Sequence, residues 1–144
     1  MAYEKIAVTG GCGFLGYRIA KLLSNHATVT SIDVKESVSS ELSSIKSINA
    51  SITDVDQIKN ALRGNDAHIH LAAIPNSREA SLEPTFNTNF QKAWSVLQAA
   101  EEVGTKRVVI VSSDSVFEFS YNPPDWKPRF LPVDETHLMR PAEV

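Results

Sequence analysis

Apolar positions along the chain follow two rhythms: short β-branched runs, and longer stretches with apolar residues three or four apart. This alternation predicts strands interleaved with helices around a mostly parallel sheet. Lys5–Thr9 reads as a buried strand, and Phe14–Asn25 follows with Leu15, Ile19 and Leu23 at helical spacing. Ala27–Asp33 reads as a second strand, Ser39–Ser44 as a short helix or loop, and Ser47–Ser51 as a weaker third strand. Thr53 is expected to cap a helix with Val55, Ile58 and Leu62 on one face and Gly64 just past its end. Ala67–Ala72 is the fourth strand. Pro84 is expected to open a long helix striped by Phe86, Phe90, Ala93, Leu97 and Ala100, which Gly104 stops. Arg107–Ser112 contains Val-Val-Ile-Val, the pattern of a strand buried on both faces. Five of the seven prolines lie beyond Phe117, so residues 115–144 are expected to form a loop rather than core.

Composition narrows the function more than the fold. With 144 residues the chain is one domain's worth, 1–144, and its 42% hydrophobic and 22% charged residues are ordinary for a globular protein. The net charge of −3, with both signs interspersed, gives no basic footprint for nucleic acid and no polybasic face for a membrane, so a small ligand is expected. Cys12 is the only cysteine, which excludes an internal disulfide framework and fits a reducing compartment. Charges at Glu4 and Lys5 interrupt the start where a signal peptide needs an apolar stretch, and a cytoplasmic location is expected.

The chemistry concentrates in Thr9-Gly10-Gly11-Cys12-Gly13-Phe14-Leu15-Gly16, a G-x-x-G-x-x-G turn between the first strand and the first helix. One glycine permits a tight turn, the next lets backbone approach a pyrophosphate, and the last allows close helix-to-strand packing. The helix N-terminus then offers free N–H groups and the positive end of its dipole to the phosphates. Asp33 ends the second strand 17 positions after Gly16, close to the spacing of about 20 for an acid that holds the adenosine ribose. Its carboxylate would repel the 2′-phosphate of NADP, so NAD is the expected cofactor, although Lys35 nearby leaves some tolerance for phosphate.

These motifs resemble the extended short-chain dehydrogenase/reductase family, the NAD-dependent epimerases and dehydratases. Asp66-Ala-His-Ile-His70-Leu-Ala-Ala73 resembles the family's D-x-V-x-H-x-A-A strand, Asn89 its helix asparagine, and Arg107-Val-Val-Ile-Val-Ser-Ser113-Asp-Ser-Val-Phe117 its R-x-V-x-x-S-S-x-x-V-Y. Asp134-Glu135 and Pro141 resemble the approach to the catalytic tyrosine. The resemblance implies a Rossmann-type, doubly wound α/β fold with helices on both faces of the sheet. It implies cofactor contacts at Gly10, Gly13, Phe14, Leu15, Gly16, Asp33, Ser51, Ile52, Leu71, Ala72, Ala73, Asn89 and Val111. Ser51 stands where the family often has an acid against adenine, and Lys92-Ala93 replaces the usual G-T after the helix asparagine.

Ser113 matches the family's catalytic serine, whose hydroxyl hydrogen-bonds the reacting oxygen; Ser112, Asp114 and Arg129 are candidates for the substrate side. The proline-rich tail with Tyr121 to Trp126 either lines a substrate mouth or is plain surface loop. The family's Y-x-x-x-K, in which a tyrosine exchanges the proton and a lysine lowers its pKa, is expected to follow Val144. The literal match Tyr17-Arg-Ile-Ala-Lys21 reads as a surface coincidence on the first helix. His68 and His70 share a strand face without further ligands in register, so no metal is expected.

The implied function is hydride transfer in an NAD-dependent nucleotide-sugar or sugar-acid epimerase or dehydrogenase, this chain being the cofactor-binding part and inactive alone. The alternative is a non-catalytic NAD-binding sensor or interaction module. A homodimer through the helix of residues 85–103 is a further expectation of the resemblance.

Overall fold

The computed structural model describes residues 3–35, 45–75, 81–117 and 126–140. The chain divides into two compact units, 1–110 and 111–144.

The first unit is a five-stranded, all-parallel sheet of order β3-β2-β1-β4-β5. Its strands are β1 (Lys5–Thr9), β2 (Thr28–Asp33), β3 (Lys46–Asn49), β4 (Ala67–His70) and β5 (Arg107–Ile110). Helix α1 (Phe14–Leu23) links β1 to β2, α2 (Val55–Leu62) links β3 to β4, and a continuous helical stretch links β4 to β5. That stretch comprises α3 (Leu82–Phe86), π-helical turns over Asn87–Lys92, and α4 (Ala93–Glu102). The order reverses direction between β1 and β4, the switch point at which sheets of this type leave a crevice beyond their strand ends. The sequence reading of a doubly wound fold agrees with this arrangement.

Both faces of the sheet are covered because successive strand residues point opposite ways. On one face Ile6, Val8, Val29 and Ala67 pack with Ala20, Tyr17 and Leu23 of α1. On the other, Ala7 and Ile32 pack with Ile58, Ala61 and Leu62 of α2 and with Val96, Ala99 and Ala100 of α4. The starts of three strands are tied by one carboxylate. Asp66 accepts from the Lys5 amide at 3.1 Å, the Glu4 amide at 3.3 Å and the Lys106 ammonium at 2.7 Å. The Lys106 ammonium, followed by the Lys5 amide, holds that carboxyl below its ordinary range.

Four features differ from the sequence reading. Asp54, not Thr53, caps α2: its side chain accepts from the Gln57 amide at 3.0 Å, while Thr53 Oγ1 lies 2.8 Å from Ser51 Oγ. The long helix starts at Leu82, two residues before Pro84, which occupies its first turn. The stripe on that helix is not one continuous core face. Val96, Ala99 and Ala100 are buried, whereas Phe86 is 50% and Phe90 67% exposed. The π turns close i→i+5 bonds and so stretch the repeat; Leu82, Phe86, Phe90 and Trp94, four apart, stay outside, with the Phe86 and Phe90 rings stacked at 5.3 Å. Finally, β5 is not buried on both faces. It ends the strand order, and Val109 and Ile110 are 47% and 46% exposed. The expectation for Ser39–Ser44 falls outside the described residues.

The second unit holds a 3₁₀ turn, Asp114–Phe117, and a loop over 126–140. Apart from that turn its described residues form no helix or strand, but they have a small centre. His137 is 3% exposed; its Nε2 accepts from the Arg129 amide at 3.0 Å, and Nδ1 lies 3.0 Å from the Leu138 carbonyl. The rings of Phe117 and Phe130 stand 5.8 and 5.2 Å from the imidazole. Trp126 donates Nε1–H to the Phe117 carbonyl at 3.0 Å, and the Arg140 guanidinium lies over its ring.

Candidate functional site

A cavity of about 500 Å³ lies where the strand order reverses, along the carboxyl ends of β1 to β4. Gly10 and Gly13, Asp33, Ser51 and Ile52, and Leu71 to Ala73 line it, so eight of the sequence-identified residues meet around one space. The three motif glycines, Gly10, Gly13 and Gly16, differ in kind. Gly10 has φ +75°, and a Cβ there would meet Ala72 N at 2.7 Å and Leu71 C at 2.8 Å. At Gly13 a Cβ would meet one atom, the Gly10 carbonyl oxygen at a tight 3.2 Å, and the rest of its surroundings are open. Gly16 is buried beneath the turn, its would-be Cβ colliding with the Gly10 carbonyl. These geometries match a turn-former, an open approach and a close packing contact, in that order.

Gly13 is also the N-cap of α1 and brings no side chain to cap it. The first internal bond of the helix runs from the Tyr17 amide to the Gly13 carbonyl at 3.0 Å. The amides of Phe14, Leu15 and Gly16 therefore point out of the helix end without an intrahelical acceptor, a ready anion site reinforced by the dipole. The aromatic ring of Phe14 itself is 80% exposed and carries the Arg18 guanidinium 3.7 Å from its centroid.

Asp33 is held rather than loose. Its Oδ2 accepts from the Cys12 amide and its Oδ1 from the Lys35 amide, both at 3.0 Å. Each carboxylate oxygen keeps a second acceptor site, so the pair can still take two ribose hydroxyls. Cys12 itself sits against this acid: burial, then the Asp33 charge, pushes its thiol up, which makes it a poor nucleophile.

Beyond Asp33 the wall is built by the residues after β3. The Ser51 amide reaches Gln57 Oε1 at 3.4 Å, and the Thr53 amide donates to Ser51 Oγ at 3.2 Å. On the other side of the reversal the wall is the β4 turn, fastened by Asn89. Its Oδ1 accepts from the Ile74 amide and its Nδ2 donates to the Ile74 carbonyl, each at 2.8 Å. Asn89 therefore shapes the wall through Ile74. Lys35, noted in the sequence for its place beside Asp33, also lines the cavity. Sequence reasoning missed Ile32, Val34, Ala50, Ile74, Pro75 and Thr88, which line it too; nothing in their residue types signals it.

Behind the turn, Thr9 stands between His68 and His70. Burial, then the charge of His70, drives the His68 imidazole down to about 3, and burial lowers His70, so both rings are neutral at ordinary pH.

Val111, Ser112, Ser113, Asp114 and Arg129 belong to the second unit. Within it Ser113 Oγ accepts from the Ser115 amide at 3.2 Å, which starts the 3₁₀ turn. The Arg129 side chain is exposed while its amide is pinned by His137. Tyr121 to Asp125 lie outside the described residues. Among the described residues no helix is long and apolar enough to cross a membrane.

Known proteins share this arrangement. The chain is 30% identical over 131 residues to the L-arabinose 1-dehydrogenase (NAD(P)(+)) of Haloferax volcanii, covering 90% of this chain and 49% of that one. It is 32% identical over 114 residues to the 3 beta-hydroxysteroid dehydrogenase/Delta 5-->4-isomerase of Monkeypox virus, covering 74% and 33%. A short-chain dehydrogenase/reductase superfamily protein from Agrobacterium tumefaciens, solved with bound NAD, superposes with a TM-score of 0.75 at 28% identity, covering 97% of this chain and 40% of that one. The chain thus spans half or less of the length of these relatives. The profile of one family matches residues 6–137, and with the glycine turn, the acid after β2 and the reversed strand order it establishes that the chain belongs to the NAD dependent epimerase/dehydratase family.

Proposed function

We propose that residues 1–144 are the NAD-binding part of an enzyme that oxidises, reduces or epimerises a sugar-type substrate, a nucleotide sugar or a sugar acid. The observation that carries the reading is the lining of the cavity: an uncapped helix end at Gly13, a doubly held carboxylate at Asp33 and a glycine at φ +75° meet in one space. A dinucleotide needs these features in this order. The α1 amides take the pyrophosphate, Asp33 the adenosine ribose, and Ser51 and Ile52 the base end; Leu71 to Ala73 form the opposite wall.

The bound cofactor supplies the hydride chemistry at its nicotinamide ring. Ser113 is assigned the hydrogen bond to the reacting oxygen, with Ser112, Asp114 and Arg129 on the substrate side, Arg129 suiting a carboxylate or phosphate. One relative is named for a pentose and another for a steroid, so the sugar class rests on the resemblance of motifs. A cytoplasmic setting suits the free Cys12.

Calorimetric titration tests the reading. The chain is expected to bind NAD at least about tenfold more tightly than NADP, a difference of about 1.4 kcal/mol, because Asp33 faces the position of the 2′-phosphate. Tighter binding of NADP contradicts it. Ser113→Ala is expected to leave NAD affinity within about twofold, since that hydroxyl serves substrate rather than cofactor. Turnover by residues 1–144 alone is expected to stay at background in a sugar or sugar-nucleotide oxidation assay, because general acid–base groups supply about 10²–10⁴-fold; robust turnover overturns that assignment.

The exposed row Leu82, Phe86, Phe90 and Trp94 is assigned to a homodimer contact through the helix of residues 85–103, apolar rows of this kind marking interaction surfaces. Light scattering is expected to read a dimer for the unaltered chain and a monomer for Phe90→Glu. A monomeric unaltered chain removes the assignment.

A further inference from the structure

Thr9, His68 and His70 are set side by side by the sheet. The β1/β4 register pairs Thr9 with His70 and Ala7 with His68, which puts all three side chains on the face of Ala7. They are buried, at 0%, 0% and 5% exposure. Thr9 Oγ1 lies 2.7 Å from His70 Nδ1 and 3.1 Å from His68 Nε2. One hydroxyl carries one proton, so it donates to one ring and accepts from the other.

Two observations give the direction. Hydroxyl donors make shorter bonds than N–H donors, so the Thr9 hydroxyl donates across the shorter contact, to His70 Nδ1, and His68 Nε2–H donates across the longer one, to Thr9. Independently, His68 Nδ1 is buried with no partner among the described residues. In the opposite direction that atom would carry an orphaned buried N–H, the costlier defect; in this direction it is a bare lone pair. Both histidines are then Nε2–H tautomers.

The same residue joins the two walls of the cavity. The Thr9 carbonyl accepts from the Leu71 amide at 3.0 Å, and the next residue, Gly10, runs so close to Leu71 and Ala72 that no Cβ fits between them. We propose that Thr9 is a positioning residue: its hydroxyl, held in a one-way chain from His68 to His70, fixes the separation of the glycine turn from the β4 turn and thereby the width of the cofactor cleft. The affinity part rests on the NAD-binding reading; the tautomer part does not.

Long-range ¹H–¹⁵N correlation spectra of the imidazoles, joined to NAD titration, test it on the unaltered chain, Thr9→Val and Thr9→Ser. The chain is expected to show both His68 and His70 as neutral Nε2–H tautomers. Thr9→Val, which keeps the shape and loses the hydroxyl, is expected to mix the His70 tautomers and weaken NAD binding about tenfold, the effect of two lost hydrogen bonds; Thr9→Ser restores both. A Nδ1–H tautomer at His70 in the unaltered chain overturns the proposal, even if Thr9→Val does not fold. Unchanged NAD affinity in a folded Thr9→Val overturns it as well. If the unaltered chain shows the assigned tautomers but binds no NAD, the chain of hydrogen bonds stands and the functional reading falls.

Discussion

Gly10→Ala is expected to abolish NAD binding, a loss of at least about 100-fold, and to destabilise the fold, whereas Gly13→Ala is expected to weaken binding more than about tenfold at nearly unchanged stability. The difference lies in what each Cβ meets. At Gly10 the φ of +75° costs an L-residue about 1–2 kcal/mol, and the added carbon falls 2.7–2.9 Å from backbone atoms of Leu71 and Ala72. Backbone cannot swing aside, so the β4 turn moves and one wall of the cavity with it. At Gly13 the backbone is extended, φ −72° and ψ 170°, a conformation any residue adopts, and only one carbonyl stands within 3.2 Å of the new carbon. The Gly10 carbonyl has to give by only a few tenths of an ångström to admit that methyl; a pyrophosphate over the helix end has no such slack. Urea melts and calorimetry on both variants give the two readouts, and equal loss of stability in both would show that the turn is packed rather than open.

Stability is expected to fall steeply with acid between pH 6.5 and about 3, and His68→Val is expected to flatten much of that slope. The imidazole of His68 is driven down from 6.5 to about 3, first by burial and then by the neighbouring charge of His70. In the unfolded chain the ring protonates near 6.5, so the unfolded state binds the proton first. Stability from this group is therefore complete above about 6.5 and is lost as pH falls toward 3, at about 1.4 kcal/mol per pH unit in mid-window and about 5 kcal/mol over its whole span. Small domains have about 5–15 kcal/mol in all, so this is a large share. Denaturant midpoints measured from pH 7.5 to 4 on the unaltered chain and His68→Val decide it. Parallel curves would mean that His68 is wet or already protonated in the fold.

The site was legible where a residue type answers a backbone requirement. The three glycines occupy one positive-φ turn, one open approach and one buried packing point, and only glycine meets those demands at Gly10 and Gly16. Asp33 was legible from its distance along the chain, because strand and helix lengths fix where β2 must end. Asn89 was legible only through the family motif; that its amide clamps Ile74 through two bonds depends on how the helix passes the β4 turn. Thr9 between two histidines was not legible, since it needs the β1/β4 register. The cap of α2 lies one residue further on because Thr53 and Asp54 both make good caps, and the Thr53 hydroxyl is paired with that of Ser51 while Asp54 takes the Gln57 amide.

The errors in the fold share a cause. Val108 to Ile110 in β5 and the aromatic row on the long helix both read as interior, because apolarity signals burial without saying by what. β5 ends the strand order, and the π turns over Asn87–Lys92 carry Phe86 and Phe90 away from the face that Val96, Ala99 and Ala100 bury. The same limit hid His137, a polar residue that forms the centre of the 126–140 loop through two backbone contacts and two rings.

A crystal structure of the chain with NAD probes the account at its root. The two phosphates should lie within hydrogen-bond reach of the Phe14 and Leu15 amides above Gly13, with the adenosine ribose hydroxyls on Asp33 and the base beside Ser51. A dinucleotide seated away from the end of α1, or a side chain filling the bend from Gly10 to Gly13, would contradict it.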